Sequence, residues 1–129
     1  MPGKVLVIGD CTVRQNLESA LEEAGYTVVE ATNSSDGLKH LRNAEHRIVI
    51  LSEDVPFMED MNLLPILKRQ TSTPVIVVGS DGQQAVVNSL NQGADVHLPR
   101  TTSVRVVLAY LRALLRRSPP SPERQMLQS

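Results

Sequence analysis

The chain has 129 residues, a net charge of −1 and one cysteine; apolar residues make up 41% and aromatic residues only 2%. This length fits one domain with a core of its own, and the composition excludes disorder, collagen and a disulfide scaffold. Charge is unevenly placed: residues 100–129 carry six arginines against one glutamate, and residues 1–99 carry seven basic against thirteen acidic residues.

Residues 4–8 (KVLVI) form a continuous apolar run that ends at Gly9 and reads as a buried strand. Val13, Leu17, Ala20, Leu21 and Ala24 recur at helical spacing, so a helix is expected over 12–24, with Asp10 or Thr12 at its start and Gly25 as its left-handed stop. A second strand is expected over 27–31, a helix over 33–44 with Leu38 and Leu41 inward, and a third strand over 47–51. A helix over 61–70 contains Pro65, which fits only a first turn, so either the helix starts near Asn62 or it is kinked. A strand over 74–78, a helix over 83–92 stopped by Gly93, a short strand over 95–98 and a long helix over 103–117 complete the series. Thr101, Thr102 and Ser103 offer caps for that last helix.

Strand and helix alternate five times with short links, which predicts a doubly wound α/β domain with a parallel sheet. Ligands in such sheets sit at the carboxyl ends of the strands. Those ends are Gly9-Asp10-Cys11, Ser52-Glu53-Asp54, Gly79-Ser80-Asp81 and Pro99-Arg100. The domain is placed at 1–117, and the Pro/Ser-rich stretch 118–129 reads as a linker or tail. No apolar run is long enough for a membrane span, and the N-terminus reads as no signal peptide, so a cytoplasmic protein without membrane contact is expected.

Six segments in order, KVLVIGD, LEEAGYTVVEA, RIVILSEDVP, TPVIVVGS, GADVHLPR and LRALLRR, resemble the receiver domain of two-component response regulators over residues 4–117. The resemblance implies a flavodoxin-like (βα)5 three-layer fold with a five-stranded parallel sheet in the order 2-1-3-4-5. It also implies a phosphorylation pocket. There, a carboxylate at the end of the third strand accepts the phosphoryl group, two acids after the first strand help it hold Mg²⁺, and a hydroxyl and a lysine contact the phosphoryl oxygens. Matched position by position, the acceptor is Ser52, the acidic pair is Gly9 and Asp10, the hydroxyl position is Gly79 and the lysine position is Arg100. The aromatic switch position in the fifth strand is His97.

A serine hydroxyl cannot form the acyl phosphate, so this pocket reads as degenerate: a pseudo-receiver with no cofactor and no enzymatic activity. Asp10 and Asp54 are the acids left to offer a metal, and Arg100 is expected to pair with one of them in its place. Cys11 reads as an ordinary free thiol, His97 as a strand histidine, and His40 and His46 are spaced too irregularly for a metal pair. A hydrolase using Cys11 or Ser52 lacks any supporting triad motif.

The helix over 83–92 has no charged residue. With strand 95–98 and helix 103–117 it forms the face that many receivers use to dimerise. Val86, Val87, Leu90, Asp95, Tyr110, Arg112 and Arg116 are its candidate contacts, for a protein partner or a second copy. Val96 and Tyr110 stand where the family usually has an acid and an arginine, which implies a more apolar interface. The functional expectation is a phosphorylation-independent interaction module, the regulatory part of a transcriptional regulator, with no direct contact to nucleic acid. The alternative is a module that senses a small anion or nucleotide through Arg100.

Overall fold

The computed structural model describes residues 3–9, 12–32, 34–43, 46–52, 63–70, 72–79 and 82–117. Ten elements alternate along the chain: β1 (Lys4–Ile8), α1 (Thr12–Glu23), β2 (Thr27–Ala31), α2 (Ser34–Asn43), β3 (Ile48–Ser52), α3 (Leu63–Gln70), β4 (Val75–Gly79), α4 (Gln83–Asn91), β5 (Val96–Pro99) and α5 (Val104–Arg117). All strand pairs are parallel and the sheet order is β2-β1-β3-β4-β5. This is the flavodoxin-like (βα)5 architecture.

β3 and β4 are buried at every residue, and β1 at all but Lys4, because helices cover both faces of a parallel sheet. Strand alternation divides the core into two layers. On one face Leu6, Ile8, Val49, Leu51, Val75 and Val77 pack with Leu38 of α2 and with Leu64 and Leu67 of α3. On the other, Val5, Val7, Ile48, Ile50, Ile76 and Val78 pack with Leu17 and Leu21 of α1 and with Val107, Leu111 and Leu114 of α5.

The helix stops follow their glycines. Gly25 has φ +97° and its N–H donates to Glu22 O; Gly93 has φ +120° and its N–H donates to Leu90 O. Only glycine takes these angles without strain. Pro65 lies in the first turn of α3, where its missing N–H costs no helical hydrogen bond. Ser103 caps α5, its Oγ accepting from Val106 N–H at 3.4 Å.

Several boundaries differ by a residue from the sequence reading. α1 ends at Glu23 and α4 at Asn91, and α5 starts at Val104. β3, β4 and β5 each lie one residue later than expected, at 48–52, 75–79 and 96–99. The cause is the sheet itself: neighbours across the ladder, not side-chain pattern, decide where pairing stops. Ser52 pairs in register with Val78, and Gly79 with Pro99. The stretch assigned to the tail, 118–129, lies outside the described residues.

Candidate functional site

The carboxyl ends of β1, β3, β4 and β5 come together along one edge of the sheet, as the crossover topology requires. Gly9 follows β1 with φ +140°, and its N–H donates to Ala31 O at 2.8 Å, tying it to the end of β2. Ser52 is the last residue of β3 and is buried. Gly79 closes β4, and its carbonyl accepts Arg100 N–H at 3.0 Å. That bond holds the backbone of Arg100 beside the end of β4, with the residue as a whole exposed.

Asp10, Cys11, Asp54 and Ser80 lie outside the described residues, so the expected pairing of Arg100 with Asp10 or Asp54 does too. Among the described strand ends the side chains supply one hydroxyl, Ser52, and no carboxylate. By themselves these described side chains offer Mg²⁺ no carboxylate, the ligand around which its octahedral oxygen sites are built. No cluster of three or more metal-ligating side chains occurs among the described residues.

His97 lies inside β5, in register with Val77 and buried. Its neighbours Val96 and Leu98 face the α1/α5 layer, so alternation puts His97 on the opposite side of the sheet.

The second candidate surface surrounds β5, one of the two edge strands. Of the proposed contacts, Val87, Leu90, Tyr110, Arg112 and Arg116 are exposed, and Val86 is half-buried. Val87, Leu90, Val106 and Tyr110, at 42–49% exposure, are the exposed large apolar side chains among the described residues, and all four lie on α4 and α5. Val106 was missed by the sequence reading, although its spacing of four from Tyr110 places the two on one ridge of α5.

Asp95 has a partner within its own chain. Its Oδ2 accepts Val75 N–H at 2.8 Å and lies 3.3 Å from Lys68 Nζ, while its own N–H donates to Val75 O. Lys68 also donates to Thr73 O at 3.2 Å. Lys68 went unnoticed in the sequence because 27 residues separate it from Asp95.

Comparison with known proteins agrees with this fold. The family model for the response regulator receiver domain matches residues 5–112. The chain belongs to that family.

Among curated relatives, this receiver is 30% identical over 118 residues to the transcriptional regulatory protein AfsQ1 of Streptomyces coelicolor, covering 91% of this chain and 52% of that protein. It is 31% identical over 123 residues to the response regulator MprA of Mycobacterium sp. strain KMS, covering 93% and 54%. The chain thus spans about half the length of these relatives. A two-component response regulator from Clostridium difficile has the same fold, with a TM-score of 0.82 at 24% identity, covering 89% of this chain and 97% of that one. No helix among the described residues is long and apolar enough to cross a membrane.

Proposed function

We propose that this receiver works by protein contact, without phosphorylation of an aspartate, as the regulatory part of a transcriptional regulator. The observation that carries the reading is Ser52 at the carboxyl end of β3, the position at which the family's chemistry calls for a carboxylate. A serine there offers neither an acyl-phosphate acceptor nor a Mg²⁺ carboxylate, and Gly79 at the end of β4 offers no hydroxyl to a phosphoryl group. Retained architecture beside altered chemistry leaves surface recognition as the route for a signal, and the apolar residues around β5 are where that surface is richest. The relatives' names and their greater length support a role in transcriptional regulation, with DNA contact assigned to other parts of such a protein.

The test is intact-mass and thermal-shift analysis with Mg²⁺ and a small-molecule phosphodonor. The expected result is no mass gain and no Mg²⁺-dependent stabilisation. A gain of about 80 Da on an aspartate, with a melting shift that needs Mg²⁺, overturns the reading.

A further inference from the structure

Each helix of this fold runs back against parallel strands, so helix carboxyl ends and strand amino ends share one edge of the sheet, opposite the strand ends described above. On the face covered by α2 and α3, that edge gathers five cations. Lys4 opens β1, and alternation puts it on the same side as Leu6; Arg47 precedes β3. Arg42 stands in the last turn of α2, and Lys68 and Arg69 in the last turn of α3. Two of these cations are seated on glycines. A Cβ on Gly3 would fall 2.6 Å from Arg47 Cγ, and a Cβ on Gly93 would fall 2.6 Å from Lys68 Cγ, so each stem lies across a residue with no side chain. Arg47 is also tied to β1 by its N–H, which donates to Lys4 O at 2.8 Å. Lys4, Arg42 and Arg69 are exposed, and among the described residues no carboxylate pairs with them. The described acids of this edge are elsewhere or engaged. Glu22 and Glu23 belong to α1 on the other face, and Asp95 is held by Val75 N–H and Lys68.

We propose that this amino edge binds the phosphate backbone of duplex DNA without reading its sequence. The proposal goes beyond the interaction reading; base recognition stays with other parts of such a regulator. Only the choice of DNA among phosphate polymers rests on the proposed role in transcription. Complementing a helix dipole accounts for cations at the ends of α2 and α3, but not for Lys4 and Arg47, which stand where strands begin. A protein partner fits less well. Protein interfaces anchor on apolar and aromatic side chains, and the exposed large apolar residues of the described chain lie on α4 and α5, with none on β1, β3, α2 or α3. Phosphates ask only for positive charge and N–H donors. Lys68 gives one donor to Asp95 and one to Thr73 O, and its third remains for a phosphate. The glycine seats restrict the Arg47 and Lys68 stems before binding, which lowers the cost of ordering them.

The experiment is an amide chemical-shift titration of the isotope-labelled full chain with a DNA duplex of about 16 base pairs, repeated with a second duplex of unrelated sequence. The expected result is movement of the amides of Lys4, Arg42, Arg47, Lys68 and Arg69, with those of Ser52 and Gly79 at the opposite edge left in place. Both duplexes bind alike, with Kd about 10⁻⁴ to 10⁻⁵ M, and affinity falls about 40-fold between about 50 and about 200 mM salt, the slope of about three phosphate contacts. Arg42→Ala/Arg69→Ala weakens binding about tenfold and lowers the salt slope by about two units; Lys4→Gln lowers it by about one. Because Lys4, Arg42 and Arg69 are exposed, these variants keep the fold, which thermal unfolding checks.

Four results overturn the proposal: no amide movement at this edge with duplex in excess at low salt, movement confined to the arginines of α5, binding that Arg42→Ala/Arg69→Ala and Lys4→Gln leave unchanged, or tighter binding to vesicles of an anionic phospholipid than to either duplex. Each of them leaves the interaction reading standing. A phosphoryl gain on an aspartate removes that reading and leaves the DNA titration as it was.

Discussion

Asp95 makes two hydrogen bonds with Val75 where β4 and β5 begin, giving its own N–H to Val75 O and accepting Val75 N–H on its carboxylate. Val75 is fully buried, so its N–H has no water to fall back on. Lys68 adds an ion pair, but both partners are partly exposed and such pairs contribute less than about 1 kcal/mol. The two contributions separate by mutation. Asp95→Ala is expected to cost about 1–3 kcal/mol, because it strands a buried donor. Lys68→Met, which keeps the apolar stem, is expected to cost under about 1 kcal/mol. Urea denaturation of the two variants checks the order; equal losses would mean that the ion pair, not the hydrogen bond, holds this corner.

At the scale of the element, α4 is the helix least committed to the core. Its buried residue is Ser89, whose Oγ has no hydrogen-bond partner among the described residues, while Val87 and Leu90 point outward. α5 has the opposite plan, with Val107, Leu111 and Leu114 seated in the core. Burying an unsatisfied hydroxyl costs about 1–3 kcal/mol, and alanine is also the better helix former. Ser89→Ala is therefore expected to stabilise the domain by about 1 kcal/mol and to slow hydrogen exchange of the α4 amides, which in the parent are expected to exchange faster than those of β1, β3 and β4. Denaturation and native-state exchange measure both effects. A loss of stability in Ser89→Ala would show that the hydroxyl has a bonding role.

At the scale of the molecule, one sheet separates two apolar layers, and neither layer closes without it. Leu67 of α3 lies in one layer and Leu111 of α5 in the other, both fully buried. Leu67→Ala and Leu111→Ala are each expected to cost about 2–5 kcal/mol. Because the strands are shared, either variant should still unfold in a single transition, with circular dichroism and tyrosine fluorescence tracing coincident curves. Separate transitions would mean that the layers are independent units. The charge asymmetry belongs to the amino-acid sequence as a whole, with acids dominating up to residue 99 and arginines beyond it.

The alternation of apolar strand runs with helical spacing, the glycine stops at Gly25 and Gly93, and the place of Pro65 were all legible in the amino-acid sequence, because each is a local rule of backbone geometry. The places of Gly9, Ser52, Gly79 and Arg100 at the ends of strands were legible too, since each closes or follows an apolar strand run. The ends of β3, β4 and β5 were not, because ladder bonds such as Ser52 to Val78 join residues far apart in sequence. Nor was the engagement of Asp95 by Lys68, or the isolation of the Ser89 hydroxyl: both depend on which surfaces meet once the chain has folded. Periodicity tells which face of a helix is apolar. Only packing decides how much of that face the core takes, and on α4 it leaves Val87 and Leu90 exposed.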